Sequence, residues 1–292
     1  MSWISALIDA RGSIHLMTRS WQMGWRDQRR AESQMEEGRS LTTQGVGSAL
    51  DYFWERSVVK LYMDESGNGH PSQPLIVGAV ETNENSEEIE NRVRELYRRL
   101  SARRSLGGLR SFEDFRKHGF HASTDPLEVS GPFIELMQDL PFKAYLLVTE
   151  RTDARAGDTE TEKLAFMYES LLGDLLIRHR NESELLCCIE QNDSLRQLIR
   201  TLPQNALKRA YIKLGRKVPL PRLNISMLTK TEAMSMAIVD YIMLAVSRWL
   251  RADNRADPAS RHYRAFREVE PFISVLYSLE HGLITSRKTP LH

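Results

Sequence analysis

Acidic residues at three places along the chain could do chemistry. Asp64 and Glu65 follow the apolar run SVVKLYM (57–63), within Met63-Asp64-Glu65-Ser66-Gly67. Glu190 closes a second apolar run, LLCCIE (185–190), with Asn192 and Asp193 just beyond it. Asp240 stands in AMSMAIVDYIMLAV, where almost every other position is apolar. Each has a plainer reading. Asp, Ser, Gly and Asn build ordinary turns. Asp193 can cap a helix that starts at 194. Asp240 can pair with Arg248, eight residues on. The lone carboxylate in the apolar helix is the hardest to explain away. Buried and unpaired it is costly, so it has to be paired, metal-bound or on an exposed edge. Two strand ends and one late helix together offer the hard oxygen donors that Mg2+ or Mn2+ takes. In two-metal phosphoryl transfer, ions about 4 Å apart clamp the attacking and leaving oxygens. Clustered carboxylates repel one another until a cation relieves them.

The elements that position these residues read as an α/β chain. SVVKLYM and PLIVGAV (74–80) form an opening hairpin around a turn-rich connection. KAYLLVT (143–149), LLCCIE and LNISML (223–228) are further strands. Helices are expected over 86–104, 111–118, 131–138, 159–180, 194–210 and 231–250, with a final helix over 260–281. The alternation after the hairpin points to a mixed sheet flanked by helices. Residues 1–56 differ in character and hold four of the five tryptophans. They read as an N-terminal helical extension that docks a protein partner or a second copy, ahead of an α/β domain over 57–292.

The residues also carry a resemblance. Tyr62-Met63-Asp64-Glu65-Ser66-Gly67, the second strand Leu75–Val80, Ile189-Glu190 and Asp240 are similar to the bacterial domain-of-unknown-function family numbered 3800. The resemblance spans about 57–250 and implies a ribonuclease-H-like fold. It also implies a divalent-metal nuclease in which Asp64, Glu190 and Asp240 are the ligands and catalytic carboxylates. Glu65 or Asp193 would be a fourth ligand. The family usually has Gln-x-Ala-Asp in the late helix, whereas this chain has Ala237-Ile238-Val239-Asp240. Members often accompany anti-phage or mobile-element systems, and the resemblance extends that expectation to this chain. His121, in Phe120-His121-Ala122-Ser123, is an auxiliary candidate to orient a water or sense a phosphate, beside the plainer reading of a structural histidine. Ser66 has no evident histidine partner, and P-loop and dinucleotide patterns are absent.

Charge points to a partner. The chain carries 40 Lys plus Arg against 39 Asp plus Glu, a net +1, which excludes a polybasic coat for nucleic acid. The total hides a cancellation. Residues 195–222 hold Arg196, Arg200, Lys208, Arg209, Lys213, Arg216, Lys217 and Arg222 and no acid. Residues 91–117 add nine basic and three acidic groups, so these segments supply +14 and leave −13 elsewhere. A basic run between Glu190 and Asp240 suits an RNA or DNA backbone, with Tyr211 available to stack a base. A solvated helix face is the alternative. The adjacent Cys187 and Cys188 point to opposite faces of a strand and make poor disulfide partners. With no run near ~20 apolar residues and no secretory leader, a cytoplasmic setting without membrane insertion is expected. Two functions follow: a metal-dependent nuclease, or a catalytically inactive module of the same fold that binds nucleic acid or a protein.

Overall fold

The computed structural model describes residues 58–150, 159–192 and 195–291. The expected N-terminal extension and Asp193 lie outside the described residues. Strands β1 (Val58–Ser66), β2 (Leu75–Glu81) and β3 (Lys143–Thr149) form an antiparallel meander. Strands β4 (Glu184–Glu190) and β5 (Arg222–Leu228) extend it in parallel from the other side of β1. Beyond β3 come a parallel β6 (Ile273–Ser278) and an antiparallel β7 (Gly282–Ser286). The resulting order is β5-β4-β1-β2-β3-β6-β7. A meander with two parallel strands added on its first strand is the order of a ribonuclease-H-like sheet. The mixed α/β class expected from the sequence is therefore the one observed.

The expected helix over 260–281 is a correction. Only Arg261–Val269 is α-helical; a 3-10 turn, Glu270–Phe272, leads into β6, and β7 follows. Pro271 has no N–H to continue the helix. The run Ile273-Ser-Val275-Leu-Tyr277 is rich in β-branched and aromatic residues, and Gly282 takes φ +81° to turn β6 into β7.

The helices among the described residues are α1 (Ser86–Ser101), α2 (Arg110–His118), α3 (Leu127–Gln138), α4 (Glu160–Arg178), α5 (Leu202–Leu214), α6 (Ala237–Leu250) and α7 (Arg261–Val269). They divide between the two faces of the sheet according to strand alternation. Ile76, Val80, Leu146 and Val148 meet α1, α2, α3, α6 and α7 in one core. Val59, Leu61, Met63, Val77 and Tyr145 meet α4 and α5 in the other. No described helix is long and apolar enough to cross a membrane.

One glycine governs how closely α6 approaches. Gly78 pairs with Asp64 across β1 and β2. A Cβ at Gly78 would lie 2.6 Å from Val239 Cγ2 and 3.1 Å from Met243 Cγ. The missing side chain thus lets α6 lie against the sheet beside Asp64.

Candidate active site

Strand register brings the first two carboxylates together. Parallel pairing of β1 with β4 sets Met63 opposite Ile189, so Asp64 and Glu190 come next at the same end of the sheet. They also share a face. Tyr62 and Cys188, two residues before each, meet in a small cluster with Ala233 and Met236. The third carboxylate, Asp240, lies in the first turn of α6, where the helix dipole favours negative charge.

All three converge on a residue that the sequence reading passed over. Lys230 Nζ lies 2.9 Å from Asp240 Oδ2, 3.1 Å from Glu190 Oε2 and 3.9 Å from Asp64 Oδ2. Lys230 is only 6% exposed. The turn that carries it is fixed from two sides. Thr229 N and Oγ1 both donate to Glu232 Oε2 at 2.8 Å, and Glu232 N returns a bond to Thr229 Oγ1. From α1, Arg94 donates to the carbonyl oxygen of Glu232 at 2.6 Å. Its neighbour Glu90 accepts from Met234 N, Ser235 N and Ser235 Oγ. Glu90 thereby caps the 3-10 turn Met234–Met236 that leads into α6.

Asp240 Oδ2 has further partners on the turn after α2. Ala122 N donates to it at 3.0 Å, and His121 Nδ1 lies 3.3 Å away. Asp125 holds that turn. Its Oδ2 accepts from His121 N at 2.8 Å and from the Tyr241 hydroxyl at 2.6 Å. Its Oδ1 is buried with no hydrogen-bond partner.

Electrostatics separate these groups. Burial first, then Glu190 and Asp240, push the Asp64 pKa well above its ordinary value against the pull of Lys230. Burial would also raise Asp240, but His121 and Lys230 hold it well below the usual carboxylate range. Burial opposes the Lys230 charge, yet Asp240, Asp64 and Glu190 together hold its pKa above normal. Asp240 raises that of His121. Asp125 is pushed up to about 6, mainly by burial.

The other expected site residues are placed as follows. Glu65 points to the opposite face from Asp64, where it accepts from the Tyr168 hydroxyl of α4 and from Asn192 Nδ2, each at 2.6 Å. Arg196 and Arg200 are exposed on the connection between Glu190 and α5. Lys208 is exposed and Tyr211 half-buried along α5. Arg209 and Lys213 pair with Glu169 and Asp174 of α4, which accounts for them as contacts between helices. Arg216 and Lys217 precede β5, which begins at Arg222 opposite Glu184, the first residue of β4. They therefore sit at the far end of the strand from Glu190, roughly 20 Å away at the usual strand rise.

Asp64, Glu190 and Asp240 have the donor chemistry of a site for a hard divalent cation. They are already gathered around a single positive charge. In this arrangement the charge is the Lys230 ammonium, and among the described residues no three His, Cys, Asp or Glu are set to hold a metal ion.

No family model and no curated protein matches the chain. Among solved structures, the chain is similar to RNase HII of Archaeoglobus fulgidus, determined in complex with PCNA. The identity is 14%, covering 72% of this chain and 88% of that one, with a TM-score of 0.35. It is also similar to ribonuclease H2 from Pyrococcus horikoshii OT3, at 11% identity over 70% of this chain and 83% of that one, TM-score 0.36. A third similar structure is Bst-RNase HIII in complex with Mn2+, at 13% identity over 78% of this chain and 74% of that one, TM-score 0.34.

Proposed function

We propose that the chain is a divalent-metal-dependent nuclease that hydrolyses phosphodiesters of RNA or DNA. The observation that carries this reading is the meeting of Asp64, Glu190 and Asp240 around one positive charge at one end of the sheet. Asp64, Glu190 and Asp240 would hold Mg2+ or Mn2+. A divalent ion there supplies Lewis acidity to a phosphoryl oxygen and a more acidic bound water. The chain's own groups do the rest. Ala122 N–H and His121 aim the Asp240 carboxylate. Asp125 and Tyr241 keep the His121 turn in place. Arg196 and Arg200 hold the backbone of the nucleic acid beside the strand end. A role in anti-phage or mobile-element systems rests on the family resemblance alone.

The test is the double substitution Asp64→Asn with Asp240→Asn, assayed with Mg2+ and with Mn2+ on mixed RNA and DNA substrates. Cleavage by the parent and its loss in the double variant are expected. Cleavage unchanged by the substitutions would sink the assigned site.

Two observations favour a second reading, a catalytically inactive module that binds nucleic acid or a protein. Lys230 already compensates the carboxylates, and Ala237 stands where the family has Gln. Calorimetry separates the two: no heat of Mn2+ binding near neutral pH, with nucleic-acid affinity intact, selects the module.

A further inference from the structure

We propose that Lys230 holds the cation position of this site and is displaced when a divalent ion binds, so that ammonium and metal compete for the same carboxylates. The inference rests on the metal-dependent reading above.

Three features carry it. First, a lysine normally keeps its ammonium in water and buries only its stem. Here the ammonium itself is enclosed, within 3.1 Å of two carboxylates and 3.9 Å of a third. Second, the placement is built. The reciprocal Thr229–Glu232 bonds and the Arg94 contact shape the turn that directs the side chain inward. Third, the two cations draw on the same carboxylates. Asp240 Oδ2 already faces Ala122 N, His121 Nδ1 and Lys230 Nζ. Mg2+ needs its oxygens at about 2.0–2.1 Å in near-octahedral array, so an ion on this oxygen has to displace a neighbour, and the Lys230 ammonium is the one its charge repels. The flexible four-carbon stem of lysine gives the displaced group a way out.

Alone, the ammonium also explains how three carboxylates can stand together before any metal arrives. Without it, their mutual repulsion would favour proton uptake by the carboxyls. Lys230 thus favours the charged carboxylates and at the same time competes with the ion for them.

The experiment uses the full chain and its Lys230→Met variant, which keeps the stem and removes the charge. Mn2+ affinity is measured by calorimetry near neutral pH. Lys230→Met is expected to bind Mn2+ about ten-fold tighter or more, because it removes a buried charge that competes for the same carboxylates. Equal or weaker affinity in the variant overturns the competition. A second measurement needs no substitution: acetylation of the Lys230 amine in the parent, read by peptide mass spectrometry. Labelling that rises with saturating Mg2+ is expected, and labelling indifferent to Mg2+ overturns the displacement. Mn2+ bound equally with and without Lys230, but lost in Asp240→Asn, would remove the competition and leave the metal site standing. No Mn2+ binding by parent or variant would remove both.

Discussion

At the scale of single residues, the site is a set of carboxyl groups held at unequal proton affinities. Asp125 allows a direct check. Its pKa lies near 6 in the folded chain against an ordinary 3.8, because burial disfavours its charge. The folded state therefore prefers the protonated acid. The stability this provides is complete below about pH 3.8 and is lost as the pH rises through about 6. Asp125→Asn carries no such charge. Relative to the parent, its unfolding midpoint is expected to improve between pH 4 and pH 7, with most of the change by about pH 6. A pH-independent difference between the two would show that Asp125 does not titrate this way. The acidic residues at Asp64, Glu190 and Asp240 were legible in the sequence because each breaks an apolar run. Lys230 was not. A lysine in Thr-Lys-Thr-Glu reads as a solvated turn, and only tertiary packing directs it inward. Asp125 was equally silent, since Ser-Thr-Asp-Pro reads as a loop.

At the scale of elements, the site depends on how closely α6 lies against β2. Gly78→Ala puts a methyl group within 2.6 Å of Val239 Cγ2. Val239 is the residue before Asp240, so the helix has to shift to make room. A loss of about 1–3 kcal/mol is expected, as for overpacking elsewhere. Chemical denaturation should show it as a lower midpoint with an unchanged slope. An unaltered midpoint would mean that α6 does not rest on this strand. The strands around the site could be read in advance because each is a short apolar run ending in polar residues. The last two could not. Apolar positions at 266, 269, 273 and 276 follow helical spacing as well as they follow a helix and a strand in succession. The Pro271 break and the turn at Gly282 decide the matter. Helix α6 also starts later than the apolar pattern does. Residues 231–236 are taken up by the turn that Glu90 caps and the Thr229–Glu232 box shapes.

At the scale of the whole molecule, charge is distributed unevenly, and the fold sorts the basic run into different tasks. Arg196 and Arg200 are exposed on the connection between Glu190 and α5, Arg209 and Lys213 bind α4, and Arg216 and Lys217 sit at the other end of the sheet. Arg196→Gln with Arg200→Gln is therefore expected to weaken oligonucleotide binding. It should also flatten the dependence of log affinity on log salt by roughly one unit per lost phosphate contact. Arg216→Gln with Lys217→Gln should leave both unchanged. The reverse pattern would move the binding surface to the far edge. Sequence alone showed the excess of charge but not its division, because pairing with α4 and position along β4 and β5 are properties of the fold. The same sheet has one more consequence. Cys187 and Cys188 are both buried and unpaired, and β4 turns the first toward α4 and α5 and the second toward Tyr62. Adjacent in the chain, the two thiols lie in separate layers of the protein. The surviving thiol in Cys187→Ser would time the breathing of the layer that holds the carboxylates. The one in Cys188→Ser would time the other layer, so a single stretch of backbone carries an independent clock for each.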